Sequence, residues 1–295
     1  MTASDACALF NFRSVRDALA WATAALAAEV PSPRLDAEVL LAHVLGWRRA
    51  RLYAFPELEL THAQREAFLA CVERRRQHEP VPYIVGHREF YGLDFVVDRR
   101  ALIPRPVTEL LVERALQSAA HLEMVGNGLK LADVGAGSGI VAVSLAVHLP
   151  HATVYATDSS AAALEVAALN VARHGVSERV HLLAGNLLEP VPEPVHMILA
   201  NLPYISTGAI PALARDIVEY EPRLALDGGE DGLQYIRALL AQAGRWLLPR
   251  GVIWLEIGAY QGQKVVALAQ HFFPTAQVDV FQDYAHLDRN VRIRL

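Results

Sequence analysis

The first part of the chain has the spacing of apolar residues that is typical of amphipathic helices. Apolar side chains recur there at intervals of three and four residues, and prolines separate the stretches. Ser32 or Asp36, and also Thr61, are candidate N-caps, because a short side-chain oxygen accepts hydrogen bonds from free amides at a helix start. The predicted helices are Val15–Leu26, Leu35–Leu45 and Ala63–Val72. The pattern therefore predicts a small helical domain over residues 1–80.

Residues 81–108 have the pattern of a connector between two domains. The two prolines of Pro80–Tyr83 are expected not to continue the preceding helix, because proline lacks the amide donor. Phe90–Val97 is rich in aromatic and β-branched residues and alternates in part, which is typical of a short β-hairpin. We therefore interpret 81–108 as a connector that carries a β-hairpin.

From about Leu129 onward, short apolar runs end in glycine or acidic residues and precede helical stretches rich in alanine and leucine. This is the pattern of repeated βα units, which form a parallel sheet with helices on both faces. The last two runs are expected to form an antiparallel C-terminal edge. The predicted strands are Leu129–Val134, Thr153–Thr157, Val180–Ala184, His196–Ala200, Val252–Ile257, Gln277–Gln282 and Asn290–Leu295. The sequence thus predicts an α/β fold with a mostly parallel, Rossmann-like sheet in residues 109–295.

Composition narrows the classes of function. The net charge of −5 disfavours a protein that binds long stretches of nucleic acid, so no direct contact with nucleic acid is expected. A basic cluster at Arg74–Arg76 is flanked by acidic residues, and we interpret it as a solvated helix face.

No apolar stretch is long enough to span a bilayer and the N-terminus lacks the features of a signal peptide, so we expect a cytoplasmic protein. Cys7 and Cys71 are expected to be free thiols, and no metal site is predicted.

A glycine-rich turn follows the first predicted strand of the sheet. It consists of Gly135, Ala136, Gly137, Ser138 and Gly139, and it leads into a helix predicted over residues 140–149. Ligands of open α/β folds bind at this edge, where glycine lets the backbone approach them closely. Dinucleotide-binding proteins have a similar turn, so the motif predicts a nucleotide-like cofactor without identifying it.

Polar residues follow the next three predicted strands. Asp158 is expected to accept hydrogen bonds from a ribose diol, which NAD and S-adenosyl-L-methionine both carry. Asn186 and Leu187 offer an amide and an apolar contact suited to adenine. The tetrapeptide Asn201-Leu202-Pro203-Tyr204 follows the fourth strand and is the most specific signal in the chain, since it is typical of methyl transfer.

Asn-x-Pro-Tyr at a strand end suits methyl transfer to a planar NH2 group whose lone pair is delocalised. The side-chain carbonyl of Asn201 and the backbone carbonyl of Leu202 are expected to accept its two N–H bonds and to favour the developing charge. Pro203 restricts the turn, and Tyr204 is expected to pack its ring on the planar group with its hydroxyl in water. We therefore predict Asn201, Pro203 and Tyr204 as catalytic, all four residues as substrate-binding, and Asn201 also as a cofactor contact.

Further segments serve as landmarks of a family. They are Asp36–Leu41, Pro82–Ile84, Glu89–Leu93, Leu102–Glu109, Tyr220–Pro222, Gly228–Leu233, Leu255–Gly258 with Gln261, and Asp283 with Asp288–Arg289. With the motifs above, they make the chain resemble the release-factor glutamine methyltransferases of the HemK/PrmC group over nearly its whole length. The resemblance implies a helical domain (1–80) that helps to recognise the substrate and a class I methyltransferase domain (109–295). It also implies S-adenosyl-L-methionine as cofactor, held by the glycine turn, Asp158, Asn186 and Leu187. The implied substrate is the glutamine of the Gly-Gly-Gln loop of class I peptide chain release factors.

Two positions depart from the pattern of that family. Leu202 stands where the family usually has proline, and Val107 stands where it usually has glutamate. Leu202 keeps the backbone carbonyl that the chemistry needs, whereas Val107 loses an acid beside Thr108 and Glu109. If that acid orders the region over the cofactor, its loss weakens cofactor binding.

Three other functions fit part of the pattern. An adenine-N6 methyltransferase acting on RNA or DNA also holds a planar amine, but it is expected to have a basic face. A module that binds the cofactor without catalysis would retain the fold alone. A nicotinamide oxidoreductase would need a proton-relay residue and the G-x-G-x-x-G spacing, which the glycine turn lacks.

Overall fold

A computed structural model describes residues 12–122 and 128–295 of the chain. These residues form two compact units. The first comprises the described residues up to Gly86 together with Arg215–Tyr220, and the second comprises His87–Ala214 and Glu221–Leu295. Cys7 lies outside the described residues, and Cys71 is a half-buried free thiol. Within the described ranges, no helix is long and apolar enough to cross a membrane.

The elements are numbered in chain order. The helices are α1 (Val15–Leu26), α2 (Pro33–Leu45), α3 (Arg49–Ala54), α4 (His62–Arg76), α5 (Val81–Val85), α6 (Glu109–Leu122), α7 (Ile140–His148), α8 (Ala161–Arg173), α9 (Arg215–Tyr220), α10 (Gln234–Ala243) and α11 (Gly262–Phe272). The strands are β1 (His87–Phe90), β2 (Leu93–Val96), β3 (Lys130–Val134), β4 (Thr153–Asp158), β5 (Val180–Ala184), β6 (Val195–Ala200), β7 (Leu247–Glu256), β8 (Gln277–Gln282) and β9 (Asp288–Arg294). Short 3-10 helices cover Pro106–Thr108, Thr207–Ala212 and Arg223–Ala225.

The first unit is helical, as the spacing of apolar residues predicts. Thr61 caps α4 through a reciprocal pair of bonds with Gln64, in which each side chain accepts a hydrogen bond from the other residue's amide. Ser14 and Asp17 form the same arrangement at the start of α1. Ser32 occupies the N-cap position of α2 without a side-chain capping bond. Of the three N-cap candidates, only Thr61 therefore caps through its side chain, and Asp36 lies inside the first turn of α2.

The boundary between the units follows Gly86, not residue 80. The prolines of Pro80–Tyr83 do not continue α4, but they begin α5, since the first turn of a helix tolerates proline. Ile84 of this short helix packs in the core of the helical unit. Phe90 and Phe95 of the β1–β2 hairpin pack instead in the core of the sheet. The hairpin is therefore part of the second unit and not of a separate connector.

The basic cluster of α4 is not a uniformly solvated face. Arg75 is only 6% exposed, and its Nε lies 2.7 Å from Oδ2 of Asp36. Arg76 on the same helix is exposed and pairs with exposed Glu73. The solvated interpretation is wrong for Arg75, because the long-range partner on α2 draws its guanidinium inward.

The second unit is built on a seven-stranded sheet in the order β5-β4-β3-β6-β7-β9-β8. The five strands from β5 to β7 are parallel, and β9 and β8 complete the sheet in antiparallel pairing. All seven predicted strands are present. β7 starts at Leu247, ahead of the predicted Val252, because the strand continues through an irregularity near Pro249 and Gly251. The predicted mostly parallel fold with an antiparallel C-terminal edge is confirmed.

A buried asparagine joins the hairpin to the glycine turn within the second unit. The side chain of Asn170 accepts a hydrogen bond from the Val96 amide at 2.7 Å and donates to the Val96 carbonyl at 3.0 Å. It also donates to the carbonyl of Ser138 at 2.9 Å. The turn after β3 is therefore held from behind by α8.

Candidate active site

The polar residues singled out in the sequence meet at one edge of the sheet. The parallel strands end side by side, so that Asn186, Asp158, the glycine turn, Asn201 and Glu256 follow one another along this edge. β4 lies on one side of β3 in the sheet, and β6 lies on the other side. The gap between β3 and β6 is therefore a topological switch point. A cavity lies there, lined by residues from the ends of β3, β4, β5 and β6.

The glycine turn forms the wall of this cavity nearest β3. The amides of Gly135 and Ala136 both donate to the carbonyl of Thr157 at 2.9 Å, which fixes the turn against β4. Gly135 has a φ of +79°, and a Cβ there would lie 3.0 Å from Cδ2 of Leu202. Only glycine fits this conformation and spacing without strain.

Of the five residues predicted in the turn, Gly135, Ala136, Gly137 and Ser138 line the cavity. Gly139 does not line it. Its φ is +80°, and a Cβ on it would lie 3.1 Å from Cβ of Ala167, so this glycine permits close packing of α8. The structure thus shows a packing role for Gly139, and its predicted contact with the cofactor stays a prediction.

Asp158 stands at the end of β4 with both carboxylate oxygens engaged by the backbone. Oδ2 accepts from the Gly137 amide at 2.8 Å, and Oδ1 accepts from the Ser160 amide at 2.8 Å. A carboxylate has about four acceptor sites, so each oxygen keeps capacity for a hydroxyl. A rigid carboxylate beside a glycine cradle fits a ribose-bearing cofactor such as S-adenosyl-L-methionine.

Asn186 and Leu187 line the cavity beyond β5. The Asn186 side chain donates to Oε1 of Glu189 at 2.8 Å, which leaves its carbonyl oxygen available as an acceptor. Leu187 is buried with a φ of +50°, a conformation uncommon for a non-glycine residue. Both residues thus line the cavity, and their contact with adenine stays a prediction.

Asn201, Leu202 and Pro203 line the same cavity from the end of β6. The Leu202 side chain is buried in the core beneath the sheet edge, so the departure from proline adds an apolar anchor to the loop.

Gln261 holds the loop from the other side. Its Nε2 donates to the carbonyls of Tyr204 at 2.9 Å and Gly232 at 3.2 Å, and its Oε1 accepts from the Gly258 amide at 2.8 Å.

Tyr204 differs from its prediction. It is not among the residues that line the cavity, and its hydroxyl donates to Oε1 of Glu256 at 3.4 Å instead of facing water. Burial raises the pKa of Tyr204, and the neighbouring Glu256 carboxylate raises it further. The hydroxyl turns inward because a buried acceptor lies behind the loop, which the sequence pattern could not show.

Two buried carboxyl groups lie at the same edge. Glu256 at the end of β7 is 1% exposed, and burial raises its pKa to about 7. Asp133 in β3 accepts from the Ala142 amide at 3.0 Å, and burial raises its pKa to about 7, with the charge of Asp158 as a smaller cause. Neither residue was among the predicted site residues.

A further ion pair orders the segment that precedes α6. Glu221, almost fully buried, accepts from Arg105 Nη2 at 2.5 Å and from the Ile103 amide at 3.2 Å. Ile103, Arg105 and Pro222 all line the cavity. Sequence reasoning on strand ends missed Glu221, although two of the landmark segments, Leu102–Glu109 and Tyr220–Pro222, contain the partners.

The chain matches two family models. Residues 17–86 match the PrmC N-terminal domain, and residues 107–231 match the methyltransferase small domain. The first match ends at Gly86, which is also the last residue of the N-terminal segment of the helical unit.

Similar proteins match along nearly the full length. A release factor glutamine methyltransferase of Moorella thermoacetica is 45% identical over 94% of this chain and 96% of that protein. One of Geobacter sulfurreducens is 40% identical over 96% of this chain and 97% of that protein. Among solved structures, a methyltransferase from Pyrococcus furiosus superposes with a TM-score of 0.52 at 16% identity, covering 75% of this chain and 98% of that one. The last likeness supports the fold alone.

Proposed function

The chain belongs to the family of release factor glutamine methyltransferases, and from this premise we propose that it methylates a glutamine side-chain amide in class I peptide chain release factors. The cofactor is S-adenosyl-L-methionine, as in the methyltransferase domain that the sheet unit matches. One observation carries the proposal. Asn201, Leu202 and Pro203 line the same cavity as the glycine turn and Asp158, on adjacent strand ends.

We assign the residues of the turn and the neighbouring strand ends to the cofactor. The backbone of Gly135–Ser138 would cradle it, Asp158 would accept from the ribose hydroxyls, and Asn186 with Leu187 would flank the adenine. When bound, the cofactor supplies an electrophilic methyl group on a sulfonium sulfur.

The loop after β6 is proposed to hold the acceptor nitrogen. An amide nitrogen is a poor nucleophile because its lone pair is delocalised into the carbonyl. Asn201 Oδ1 and the Leu202 carbonyl would accept hydrogen bonds from its two N–H groups, which orients the nitrogen. They would also stabilise the positive charge that develops on the amide as the N–C bond forms and the methyl–sulfur bond breaks, with a neutral thioether as the leaving group. The N-methylated amide cation is a strong acid, so its surplus proton passes to water without a dedicated base.

The helical unit is proposed to recognise the release factor, which agrees with its match to the PrmC N-terminal domain. The proposed target is the glutamine of the Gly-Gly-Gln loop, whose two glycines give a slender backbone able to enter a narrow cavity. Release factors act in the cytoplasm, and we propose that the enzyme acts there too.

The test is transfer of a labelled methyl group from the cofactor to purified class I release factor. A release factor with the Gly-Gly-Gln glutamine changed to alanine is the matched control, and a structured RNA is the competing substrate. Label on the intact release factor alone supports the proposal. Label on RNA would favour an adenine methyltransferase, and absence of label on every substrate would favour a module that only binds the cofactor.

A further inference from the structure

Two arginines line the cavity, and they differ in how many of their hydrogen-bond donors are in use. All three guanidinium nitrogens of Arg100 are bonded to carboxylates, since Nε and Nη2 donate to Asp98 and Nη1 donates to Glu165 at 2.7 Å. Among the described residues, the guanidinium of Arg105 has one hydrogen-bond partner, Glu221, to which its Nη2 donates. A guanidinium carries N–H donors on all three nitrogens, so Arg105 retains those of Nε and Nη1 for a ligand.

The carboxylate of Glu221 fixes the direction of the Arg105 guanidinium. Glu221 is buried, and its second oxygen accepts from the Ile103 amide at 3.2 Å. The Arg105 side chain itself remains 31% exposed. A planar guanidinium that is held on one side presents its remaining donors in fixed directions, which lowers the entropy cost of binding a second anion.

The order of residues along the sheet edge places the amino-acid end of the cofactor near Arg105. Asn186 after β5 and Asp158 after β4 are proposed to hold the adenosine, and Asn201 after β6 is proposed to hold the acceptor nitrogen. The sulfonium must then lie near the gap between β3 and β6, and the amino-acid end continues from the sulfur. The segment that carries Arg105 reaches this gap, because Thr108 accepts a hydrogen bond from Asn201 Nδ2 at 3.2 Å.

The glycine turn offers few donors for the carboxylate at that end of the cofactor. Four of its five amides already donate to carbonyl or carboxylate oxygens of the protein, namely those of Gly135, Ala136, Gly137 and Gly139. Each amide has one proton, so these four are not available to an anion. Arg105 supplies both the positive charge and the donors that the turn lacks.

We propose that Arg105 binds the carboxylate of the amino-acid end of S-adenosyl-L-methionine, with Glu221 as its positioning residue. The inference rests on the proposed function, because the place of the sulfonium follows from the proposed role of Asn201. A charge-assisted bond to this carboxylate distinguishes the complete cofactor from adenosyl compounds that lack it. An ion pair that only stabilised the fold would make no such distinction.

The test compares two ligands that differ in the carboxylate alone, S-adenosyl-L-methionine and its decarboxylated form, by titration calorimetry. Arg105→Met keeps most of the side-chain length and removes the charge. We expect it to raise the Kd of the complete cofactor by about 10- to 100-fold, which is the range for hydrogen bonds to a charged group. The Kd of the decarboxylated ligand should change by less than about threefold.

Arg237→Met is the matched control for this substitution. Arg237 belongs to the same unit, pairs with Asp231 at 2.6 Å, is about half exposed and does not line the cavity. Both Kd values of this variant should stay within about twofold of wild type.

A second variant guards against misfolding. Arg105→Met leaves the buried Glu221 carboxylate without its counter-charge, which destabilises a fold, whereas Arg105→Met with Glu221→Leu removes both charges. The double variant should show the same selective loss of affinity for the complete cofactor. The ratio of the two Kd values is taken on one preparation, so that an unfolded fraction affects both ligands alike.

An equal rise of both Kd values would show that Arg105 only shapes the cavity, and it would overturn the proposal. Unchanged affinity of the variants for the complete cofactor, or a wild-type protein that binds the two ligands equally, would overturn it too. None of these readouts involves the release factor. Selective loss of cofactor affinity in a protein that methylates no release factor would refute the proposed substrate and leave the role of Arg105 intact.

Discussion

Replacing Gly228 by alanine should disable the substrate loop by steric contact. A Cβ at this position would lie 2.6 Å from the carbonyl oxygen of Pro203 and 2.9 Å from Cα of Tyr204. Both are backbone atoms of the loop proposed to hold the acceptor amide, so no side chain can rotate away. Favourable contacts between heavy atoms are about 3.5 Å, so the loop would have to move by roughly 0.9 Å.

A shift of that size predicts a clear loss of activity. Misplacement of a reacting group by about 1 Å costs on the order of 100-fold in rate, and we expect kcat/KM of Gly228→Ala to fall by about that factor. Overpacking of this kind also destabilises by roughly 1 to 3 kcal/mol, which should lower Tm by a few degrees. Cofactor affinity should stay within about threefold of wild type, because the glycine turn and Asp158 do not contact Gly228.

Gly208→Ala is the matched control, because it makes the same substitution at another glycine nearby in the chain. A Cβ at Gly208 would meet nothing within 4 Å, and its φ is not in the left-handed region. This variant should keep wild-type kcat/KM and Tm. The assay is methyl transfer to the release factor beside cofactor titration and thermal unfolding. A Gly228→Ala enzyme with wild-type kcat/KM would show that the loop after β6 moves freely and that its position does not govern catalysis.

Three further predictions follow from the site and the helical unit. Asn201→Ala should lower kcat by roughly 100- to 1000-fold while calorimetry finds nearly unchanged cofactor affinity; an equal loss of affinity would assign Asn201 to the cofactor instead. Because burial raises the pKa of Asp133 and Glu256 to about 7, these groups stay protonated in the folded state at a pH where the unfolded chain has lost the protons. Their contribution to stability is therefore fully present below their ordinary pKa values of 3.8 and 4.5 and is lost as pH rises to about 7; unfolding titrations should show this fall, and it should flatten in the double variant Asp133→Asn with Glu256→Gln. Arg75→Ala should lower the free energy of unfolding by about 3 kcal/mol, because it leaves the Asp36 carboxylate of a buried pair without its counter-charge. Arg76→Ala removes one member of an exposed pair and should cost under about 0.5 kcal/mol, both values being measured by denaturant unfolding. Similar costs for the two arginines would contradict the buried assignment.

The elements that the sequence predicted well are those defined by local patterns. The apolar runs of β5 and β8 coincide with the observed strands, and α1 begins and ends at the predicted residues. The parallel order then brings Asp158 and Asn201 to one edge, because carboxyl ends of parallel strands share an edge. Fold class and the neighbourhood of the site therefore follow from patterns within about 20 residues.

The features that the sequence did not predict depend on residues far apart in the chain. Glu256 reads as the end of an apolar strand, and only the tertiary fold places it behind Thr108 and Tyr204. Gln261 is a landmark of the family resemblance, but no local pattern shows that its side-chain amide bonds to Tyr204, Gly232 and Gly258. Arg75 lies among other arginines and differs from them only through Asp36. Each of these side chains is defined by a partner that no local spacing encodes.

The division of the chain into units has a consequence for engineering by domain exchange. The backbone passes between the units after Gly86 and again on each side of α9, which returns six residues, Arg215–Tyr220, to the helical unit. There the Tyr220 hydroxyl donates to the Gln77 carbonyl at 2.6 Å. Cutting the gene after codon 86 would therefore separate α9 from the helices it packs with. A chimaera that exchanges the helical unit, which we propose recognises the substrate, must transplant both pieces, and the second piece lies between two parts of the sheet unit.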